Sequence, residues 1–128
     1  MRYVSGEEML ALHSEIIDAT GGLHGIRDIG LIHSIIIKPQ TTVGGKEVYK
    51  DIFITAAVYL ESLVRYHAFI DGNKRTGFAT SARFLFLNRY ELDVPNKKVE
   101  HFVLRIAIDN IDLPTIRDWL KKHSKKYK

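Results

Sequence analysis

Side chains that could carry out phosphate chemistry are concentrated in one short segment of the chain, residues 67–77. The segment combines an imidazole, a carboxylate, an amide, two neighbouring cations and two glycines, in the order His67-Ala68-Phe69-Ile70-Asp71-Gly72-Asn73-Lys74-Arg75-Thr76-Gly77. Each residue type alone is common in turns or on solvated surfaces. Their joint occurrence between two strongly apolar helical patterns therefore predicts an anion or nucleotide site.

The second half of this segment has the composition of an anion cradle. A helix is predicted to begin at about Asn73, and a helix start offers unpaired N–H groups and the positive end of a dipole. Gly72 allows the backbone to approach a ligand closely. Lys74 and Arg75 add positive charge, and an arginine can grip two phosphate oxygens at once. We therefore expect Gly72, Asn73, Lys74 and Arg75 to hold the phosphates of a nucleotide.

The first half of the segment supplies an acid–base group and a carboxylate. Asp71 would repel phosphate unless a divalent cation lay between them, and Mg²⁺ prefers one or two carboxylates together with waters and substrate phosphates. Asp71 is therefore the expected magnesium ligand. His67 lies four positions earlier, and a histidine can accept a proton near neutral pH. We expect His67 to activate a hydroxyl for attack on phosphorus, with Phe69 pointing into the core.

The elements around this segment are predicted to be all-α, with no linker or repeat to divide a single domain spanning residues 1–128. Helices are expected from Ser5 to about Thr20, from Asp28 to Ile37, from Asp51 to about Tyr66, from about Asn73 to Asn88, from Pro95-Asn96 to about Asp109, and from Asp112 onwards. Residues 43–48 are predicted to form a small hairpin or flap, because Gly44-Gly45 tolerates positive φ.

Composition narrows the class of protein further. The 128 residues contain no cysteine, so disulfides and thiolate metal sites are excluded. No apolar run approaches the roughly 20 residues of a membrane span, and the first residues lack the core of a secretory signal, so we expect a cytoplasmic protein with no membrane partner. The net charge is +4, and much of the excess lies in residues 121–128. This basic tail is expected to be solvated and frayed, although it could attract nucleic acid or an acidic protein.

The 67–77 segment resembles the signature of the Fic/Doc superfamily, H-x-F-x-[DE]-G-N-[GK]-R, at His67, Phe69, Asp71, Gly72, Asn73, Lys74 and Arg75. Residues 22–28, residues 44–46 and the length of the chain look like the death-on-curing (Doc) toxin branch of that superfamily. The resemblance covers nearly the whole chain. It implies a compact Fic-like bundle of about six helices, in which residues 38–48 form the flap that aligns the target chain.

The resemblance to the Doc branch also implies an activity. Doc-like proteins are toxins of type II toxin–antitoxin systems, similar to protein kinases, that transfer the γ-phosphate of ATP to a threonine of translation elongation factor Tu and so halt translation. By resemblance His67 is the base, Asp71 holds Mg²⁺, and Asn73, Lys74, Arg75 and the backbone near Gly72 hold phosphates. A cognate antitoxin acting in trans is implied as a partner, its C-terminal segment folding as a helix in a groove. Nucleic acid is met only through that antitoxin.

The chain departs from the broad Fic pattern at two positions, and two alternatives to the kinase activity remain open. Typical Fic proteins, which transfer AMP, have Gly where Lys74 stands and a second Arg where Phe78 stands, whereas the Doc branch shares the Lys. AMP transfer to a protein hydroxyl is one alternative, and a non-catalytic, basic nucleic-acid-binding module is another. No Glu has Ser or Thr four positions earlier, so the inhibitory helix motif [ST]-x-x-x-E-[GN] is absent.

Two other charged positions are assigned no catalytic role. Arg65 lies two residues before His67 and could reach a phosphate or the target, but a solvated arginine at a helix end is the favoured interpretation. Arg27 and Asp28 could form a structural ion pair.

Overall fold

The computed structural model describes residues 1–127, and the described chain is built from six α-helices and two small antiparallel sheets. The helices are α1 (Gly6–Thr20), α2 (Ile29–Ile37), α3 (Ile52–Tyr66), α4 (Asn73–Leu87), α5 (Asn96–Ile108) and α6 (Leu113–Lys122). The strands are β1 (Thr42–Val43), β2 (Lys46–Glu47), β3 (Tyr90–Leu92) and β4 (Ser124–Lys126). The all-α prediction with a small hairpin is confirmed. No helix within residues 1–127 has both the length and the apolar content needed to cross a bilayer.

Four helices begin where the sequence predicts, because a side chain there accepts a hydrogen bond from the backbone N–H three residues later. These capping residues are Ser5, Asp28, Asp51 and Asp112. Helix α4 begins differently, at Gly72, which has a φ of 75° and offers no side chain to the first turn. The N–H groups at the start of α4 are therefore left without the side-chain cap that α1, α2, α3 and α6 receive.

Helix α3 lies at the centre of the fold and packs most extensively against α4 and α6. Its side chains Tyr59, Leu60 and Leu63 are fully buried. Helix α4 approaches α3 closely at Gly77, where a Cβ atom would lie 3.2 Å from Leu63 Cβ and 3.3 Å from the Leu60 carbonyl oxygen. The loop between these two helices is thus anchored at both ends in the best-packed part of the molecule.

The predicted hairpin forms between β1 and β2, with Thr42 opposite Glu47 and Val43 opposite Lys46. Gly44 and Gly45 turn the chain with φ values of 57° and 79°. Both strands are exposed, so the hairpin projects from the bundle with little support from the core.

The second sheet was not predicted, and it includes part of the 121–128 segment, for which the sequence favours a frayed basic tail. Lys121 and Lys122 complete α6, and β4 pairs antiparallel with β3. Tyr127 stacks on Phe86 with ring centroids 4.9 Å apart. Backbone pairing and this aromatic contact order the segment, while its lysine side chains remain in solvent. Lys128 lies outside the described residues.

Candidate active site

The loop that carries the predicted site begins where α3 ends. His67 adopts a left-handed conformation with φ 52° and ψ 51°, which turns the chain away from the helix axis. Arg27 secures this turn, because its Nε donates to the carbonyl oxygen of His67 at 2.5 Å and its Nη2 to that of Tyr66 at 2.9 Å. Within residues 1–127 the structure shows no ion pair between Arg27 and Asp28, which was one interpretation of the sequence, and Asp28 caps α2 instead. The imidazole of His67 is left exposed.

The middle of the loop is pinned from inside by Phe69 and Asn73. The ring of Phe69 is only 1% exposed, as predicted. The Asn73 side chain closes a double hydrogen bond with the same residue: Oδ1 accepts from the Phe69 N–H at 3.0 Å, and Nδ2 donates to the Phe69 carbonyl at 2.9 Å. The amide of Asn73 therefore faces the loop interior, which differs from the expectation that this side chain holds phosphate.

The first turn of α4 has the features predicted for an anion cradle. No described group accepts a hydrogen bond from the N–H of Asn73, Lys74 or Arg75, because residue 72 is a glycine without a capping side chain. A Cβ at Gly72 would lie 2.9 Å from Cδ1 of Ile17, which would have to shift, and the φ of 75° is strained for any other residue. These N–H groups, together with the exposed side chain of Lys74, favour negative charge at this position.

Asp71 is held with its carboxylate beside the cradle. Its Oδ2 accepts from the Leu23 N–H at 3.1 Å and its Oδ1 from the Gly72 N–H at 2.8 Å. Nη2 of Arg75 lies 3.8 Å from Oδ1. The hydrogen bonds from Leu23 and Gly72, followed by the charge of Arg75, lower the pKa of Asp71 from its ordinary value. The carboxylate is therefore ionised at neutral pH.

The loop at 21–28 is shaped to reach this carboxylate. Gly22 has a φ of 117°, and a Cβ at this position would lie 2.6 Å from Oδ2 of Asp71. Beyond it, the N–H of Ile70 donates to Gly25 and the N–H of Arg27 to Ala68, so the two loops are joined through their backbones. The glycines of 21–28 thus allow close approach to the candidate site.

These residues fit a magnesium site to which the protein contributes a single carboxylate. Within residues 1–127, no group of three or more His, Cys, Asp or Glu residues is arranged to hold a metal ion. Asp71 is 44% exposed at its side chain and lines the same cavity as Lys74 and Arg75. One accessible carboxylate beside phosphate-binding groups suits Mg²⁺ held mainly by water and substrate phosphates, and does not suit a metal held by protein alone.

The predicted site residues meet in one cavity of about 230 Å³. It is lined by His67, Ile70, Asp71, Gly72, Asn73, Lys74 and Arg75. The guanidinium of Arg75 also contacts the end of α1, donating to Thr20 Oγ1 and, at 3.1 Å, to the carbonyl oxygen of Gly21. An exposed imidazole, an ionised carboxylate, two cations and an uncapped helix start therefore share one space.

The family model described as Fic/DOC matches residues 3–85, from before α1 to near the end of α4. The chain belongs to the Fic/DOC family. It is 36% identical over 116 residues to Toxin Doc of Mycolicibacterium smegmatis, covering 89% of this chain and 87% of that protein. It is 35% identical over 123 residues to Protein kinase doc of Escherichia phage P1, covering 95% of each.

One residue of this Fic/DOC chain that contacts the loop was missed by the sequence analysis. His13 is buried in α1, and its Nε2 lies 2.8 Å from the carbonyl oxygen of Asp71, 58 positions away. Its only signal in the sequence is its position between Met9 and Ile17, where a polar residue interrupts the apolar face of α1.

Arg65 has a role that differs from both interpretations of its sequence position. Its Nε donates to the carbonyl oxygen of Ile106 at 3.2 Å and its Nη2 to that of Ile111 at 2.6 Å. Nη1 binds Glu61 at 2.7 Å. Arg65 therefore ties α3 to Ile106 of α5 and to Ile111 in the connection between α5 and α6. Its guanidinium is engaged by these protein groups and does not line the cavity.

Proposed function

We propose that this Fic/DOC protein is the toxin of a type II toxin–antitoxin system and transfers the γ-phosphoryl group of ATP to a threonine hydroxyl of elongation factor Tu, which halts translation. The observation that carries the proposal is the single cavity in which His67, Asp71, Lys74 and Arg75 meet at the start of α4. Family membership favours a transferase over a non-catalytic nucleic-acid-binding module. The target is a cytoplasmic protein, which would place the activity in the cytoplasm.

The nucleotide would be held mainly through its phosphates. The free N–H groups of Asn73, Lys74 and Arg75 point from the start of α4, and two of these residues add a cationic side chain. Asp71 would hold Mg²⁺, which would neutralise charge on the phosphate oxygens. The backbone N–H of Asn73, rather than its amide, is its proposed contact with the nucleotide.

His67 is the proposed general base. His67 is exposed at the cavity, and its imidazole makes no hydrogen bond to any described group, so no described group competes with a substrate for the ring nitrogens. A nitrogen of the ring accepts the threonine proton while the threonine oxygen forms a bond to the γ-phosphorus. The bond from that phosphorus to the β-phosphate oxygen breaks, and ADP leaves with the electron pair.

Two positions support γ-phosphoryl transfer over AMP transfer. Lys74 stands where the AMP-transferring Fic pattern has glycine, and it adds a cation at the second residue of α4. Phe78 stands where that pattern has a second arginine, and its side chain packs against the hydrophobic core. The charge available to phosphate is therefore placed differently from the AMP-transferring pattern. One relative is also named Protein kinase doc.

The proposed protein partners have surfaces to bind. The β1–β2 hairpin is exposed, with Val43 71% accessible, and could pair with an extended target segment by β-augmentation. An antitoxin helix is proposed to lie in a mostly apolar groove of about 550 Å³ between α1, α4 and α5. Lys74 and Arg75 lie at the rim of this groove, so its occupant would cover the phosphate-binding residues.

The position of the label in ATP tests the chemistry directly. The purified protein is incubated with elongation factor Tu, Mg²⁺ and ATP labelled at either the α- or the γ-phosphate. We expect label from γ-labelled ATP only. Removing a general base typically costs about 10²–10⁴-fold in rate, so His67→Ala should be nearly inactive. His33→Ala is the matched control, because His33 is exposed on α2 and does not line the cavity.

Three results would contradict the proposal. Label from α-labelled ATP alone would show AMP transfer. Equal activity of His67→Ala and the parent would remove the assigned base. Salt-sensitive binding of DNA or RNA that persists in His67→Ala, without label transfer from either form of ATP, would favour the nucleic-acid-binding module.

A further inference from the structure

His13 is a buried histidine that contacts the active-site loop but takes no part in the chemistry proposed above. Its side chain on α1 is 4% exposed. Its ring is stacked on that of Phe69, with centroids 3.8 Å apart and planes inclined by 8°. Its Nε2 lies 2.8 Å from the carbonyl oxygen of Asp71. The contact thus joins α1 to the residue that precedes the start of α4.

The chemistry of the two partners fixes the direction of this hydrogen bond. A carbonyl oxygen can only accept, so Nε2 of His13 carries the proton and donates. The accepting carbonyl belongs to the planar peptide between Asp71 and Gly72. The N–H of the same peptide donates to Oδ1 of Asp71 at 2.8 Å. His13 therefore holds one edge of the peptide whose other edge orients the carboxylate.

We propose that His13 is a positioning residue of the active site. It acts through the Asp71–Gly72 peptide, fixing the carboxylate of Asp71 and the left-handed turn at Gly72 that exposes the first N–H groups of α4. The significance for nucleotide and Mg²⁺ rests on the proposed function, whereas the effect on loop order does not. A side chain needed for packing alone would require no N–H donor at this place.

Two substitutions separate the donor from the ring. His13→Phe keeps an aromatic ring that can stack on Phe69 but cannot donate to Asp71. His13→Gln loses the ring but keeps an N–H that can reach the carbonyl. Ile116→Val is the control for general destabilisation, because Ile116 is fully buried in α6 and does not line the cavity.

The first measurement is amide hydrogen exchange, which requires no activity. The N–H groups of Phe69, Ile70 and Gly72 are each hydrogen-bonded within the loops. In His13→Phe their exchange should accelerate by about tenfold, the change expected on losing one hydrogen bond, while α6 amides exchange as in the parent. His13→Gln should stay within about threefold of the parent at these amides. If His13→Phe folds poorly, His13→Leu gives the same comparison.

The second measurement is the dependence of label transfer on Mg²⁺ concentration. Loss of an outer-shell partner of a metal ligand typically weakens metal binding by about 10-fold or more, so His13→Phe should need about tenfold more Mg²⁺ for half its maximal rate. His13→Gln should recover most of this change, and Ile116→Val should leave it unaltered.

The outcomes distinguish the two proposals. If neither the parent nor any variant transfers label, the proposed function is wrong. Hydrogen exchange would still test the positioning role of His13, because it does not depend on activity. Parental loop exchange in His13→Phe would overturn the positioning role, as would a His13→Gln variant no better ordered than His13→Phe. Accelerated exchange that is spread equally over α6 would also overturn it, because the effect would then be general destabilisation.

Discussion

The polar residues in and around the active-site loop divide into two groups, according to whether their side chains face the cavity or the protein interior. His67, Lys74 and Arg75 are exposed at the cavity, where they are available to a ligand. The side chains of Asn73 and His13 are turned inward, and both form hydrogen bonds with the loop backbone. Buried polar groups require such partners. The outward residues can therefore react or bind because the inward ones keep the backbone in a single conformation.

Asn73 provides a test of this division. In Asn73→Ala the buried N–H and carbonyl of Phe69 lose their partners, and we expect the free energy of unfolding to fall by about 1–3 kcal/mol. Urea denaturation measures the change. Asn110→Ala should shift stability by less than about 0.5 kcal/mol, because Asn110 is exposed and makes no side-chain contact of this kind. An unchanged stability with a raised KM for ATP would instead support direct phosphate binding by the Asn73 amide.

The pKa of Asp71 leads to a prediction about the dependence of stability on pH. Hydrogen bonds from the Leu23 and Gly72 N–H groups, with the nearby Arg75, lower its pKa in the folded chain. A lowered pKa favours the ionised carboxylate in the folded state, so its contribution to stability is present above the ordinary aspartate pKa and is lost as pH falls through the lower, folded value. We expect an NMR titration of the Asp71 carboxyl carbon to give a lower pKa in the folded chain than in urea.

The lowered pKa of Asp71 also has a consequence for activity. Because the lowered pKa keeps Asp71 ionised in the mildly acidic range, any loss of activity between about pH 5 and 7 should come from a group other than Asp71. Coincidence of the folded and unfolded titration curves of Asp71 would show that the loop hydrogen bonds do not act on the carboxylate.

At the residue scale, the sequence predicts which residues form the site better than it predicts where their side chains point. Every residue lining the cavity lies within the 67–77 segment, and all of them except Ile70 are among the expected site residues. The segment does not reveal that Asn73 turns inward, because an amide suits both a phosphate and a peptide. His13 is 58 positions from its partner, and a single sequence gives no sign that two such distant residues meet.

At the scale of elements, helix ends are the most predictable features of the chain. Ser5, Asp28, Asp51 and Asp112 cap helices through local hydrogen bonds, so a few neighbouring residues suffice to predict them. Strands β3 and β4 depend on pairing between segments more than 30 residues apart, which leaves no local pattern in such short strands. The same limit applies to Arg65, whose distant partners are Ile106 in α5 and Ile111 in the connection between α5 and α6.

The close packing of α3 and α4 makes a prediction at this scale. Gly77→Val places methyl groups where a Cβ alone would lie 3.2 Å from Val64 Cγ2 and 3.3 Å from the Leu60 carbonyl oxygen. Overpacking of this kind typically costs about 1–3 kcal/mol, which thermal or urea denaturation can measure. Activity should fall as well, since the two helices carry the ends of the active-site loop.

The control for this substitution is Ala107→Val, on an exposed position of α5. It introduces the same side chain into a helix without a close neighbour, so only the small difference in helix propensity should remain, about 0.5 kcal/mol. Valine has a higher helix propensity than glycine, so propensity alone would not make Gly77→Val destabilising. If Gly77→Val costs no more than Ala107→Val, the close approach of α3 and α4 is not what requires glycine there.

At the scale of the whole molecule, the active-site loop and the β3–β4 sheet lie at opposite ends of α4. The active-site loop lies at the start of this 15-residue helix, and β3 follows its end. At 1.5 Å per residue the two regions are about 20 Å apart. The β3–β4 sheet, with the stack of Tyr127 on Phe86, therefore closes the bundle far from the cavity.

Deletion of residues 124–128 should therefore weaken the fold and spare the reaction. It removes the strand pairing of β4 and the Tyr127 contacts with Phe86, a ring stack and a hydrogen bond of 2.5 Å to the carbonyl oxygen. We expect the free energy of unfolding to fall by about 2 kcal/mol, while kcat below the melting transition changes by less than about twofold, because effects at distant sites are independent.

Charge in the same segment provides the control. Lys125 lies 3.8 Å from Asp93 in an exposed ion pair, and such pairs contribute about 0–1 kcal/mol, so Lys125→Ala should leave the unfolding transition nearly in place. A deletion variant as stable as the parent would mean that the terminus frays in solution, as its basic composition first suggested. A large fall in kcat at a temperature where the deletion variant is fully folded would instead mean that the far end of α4 controls the geometry of its start.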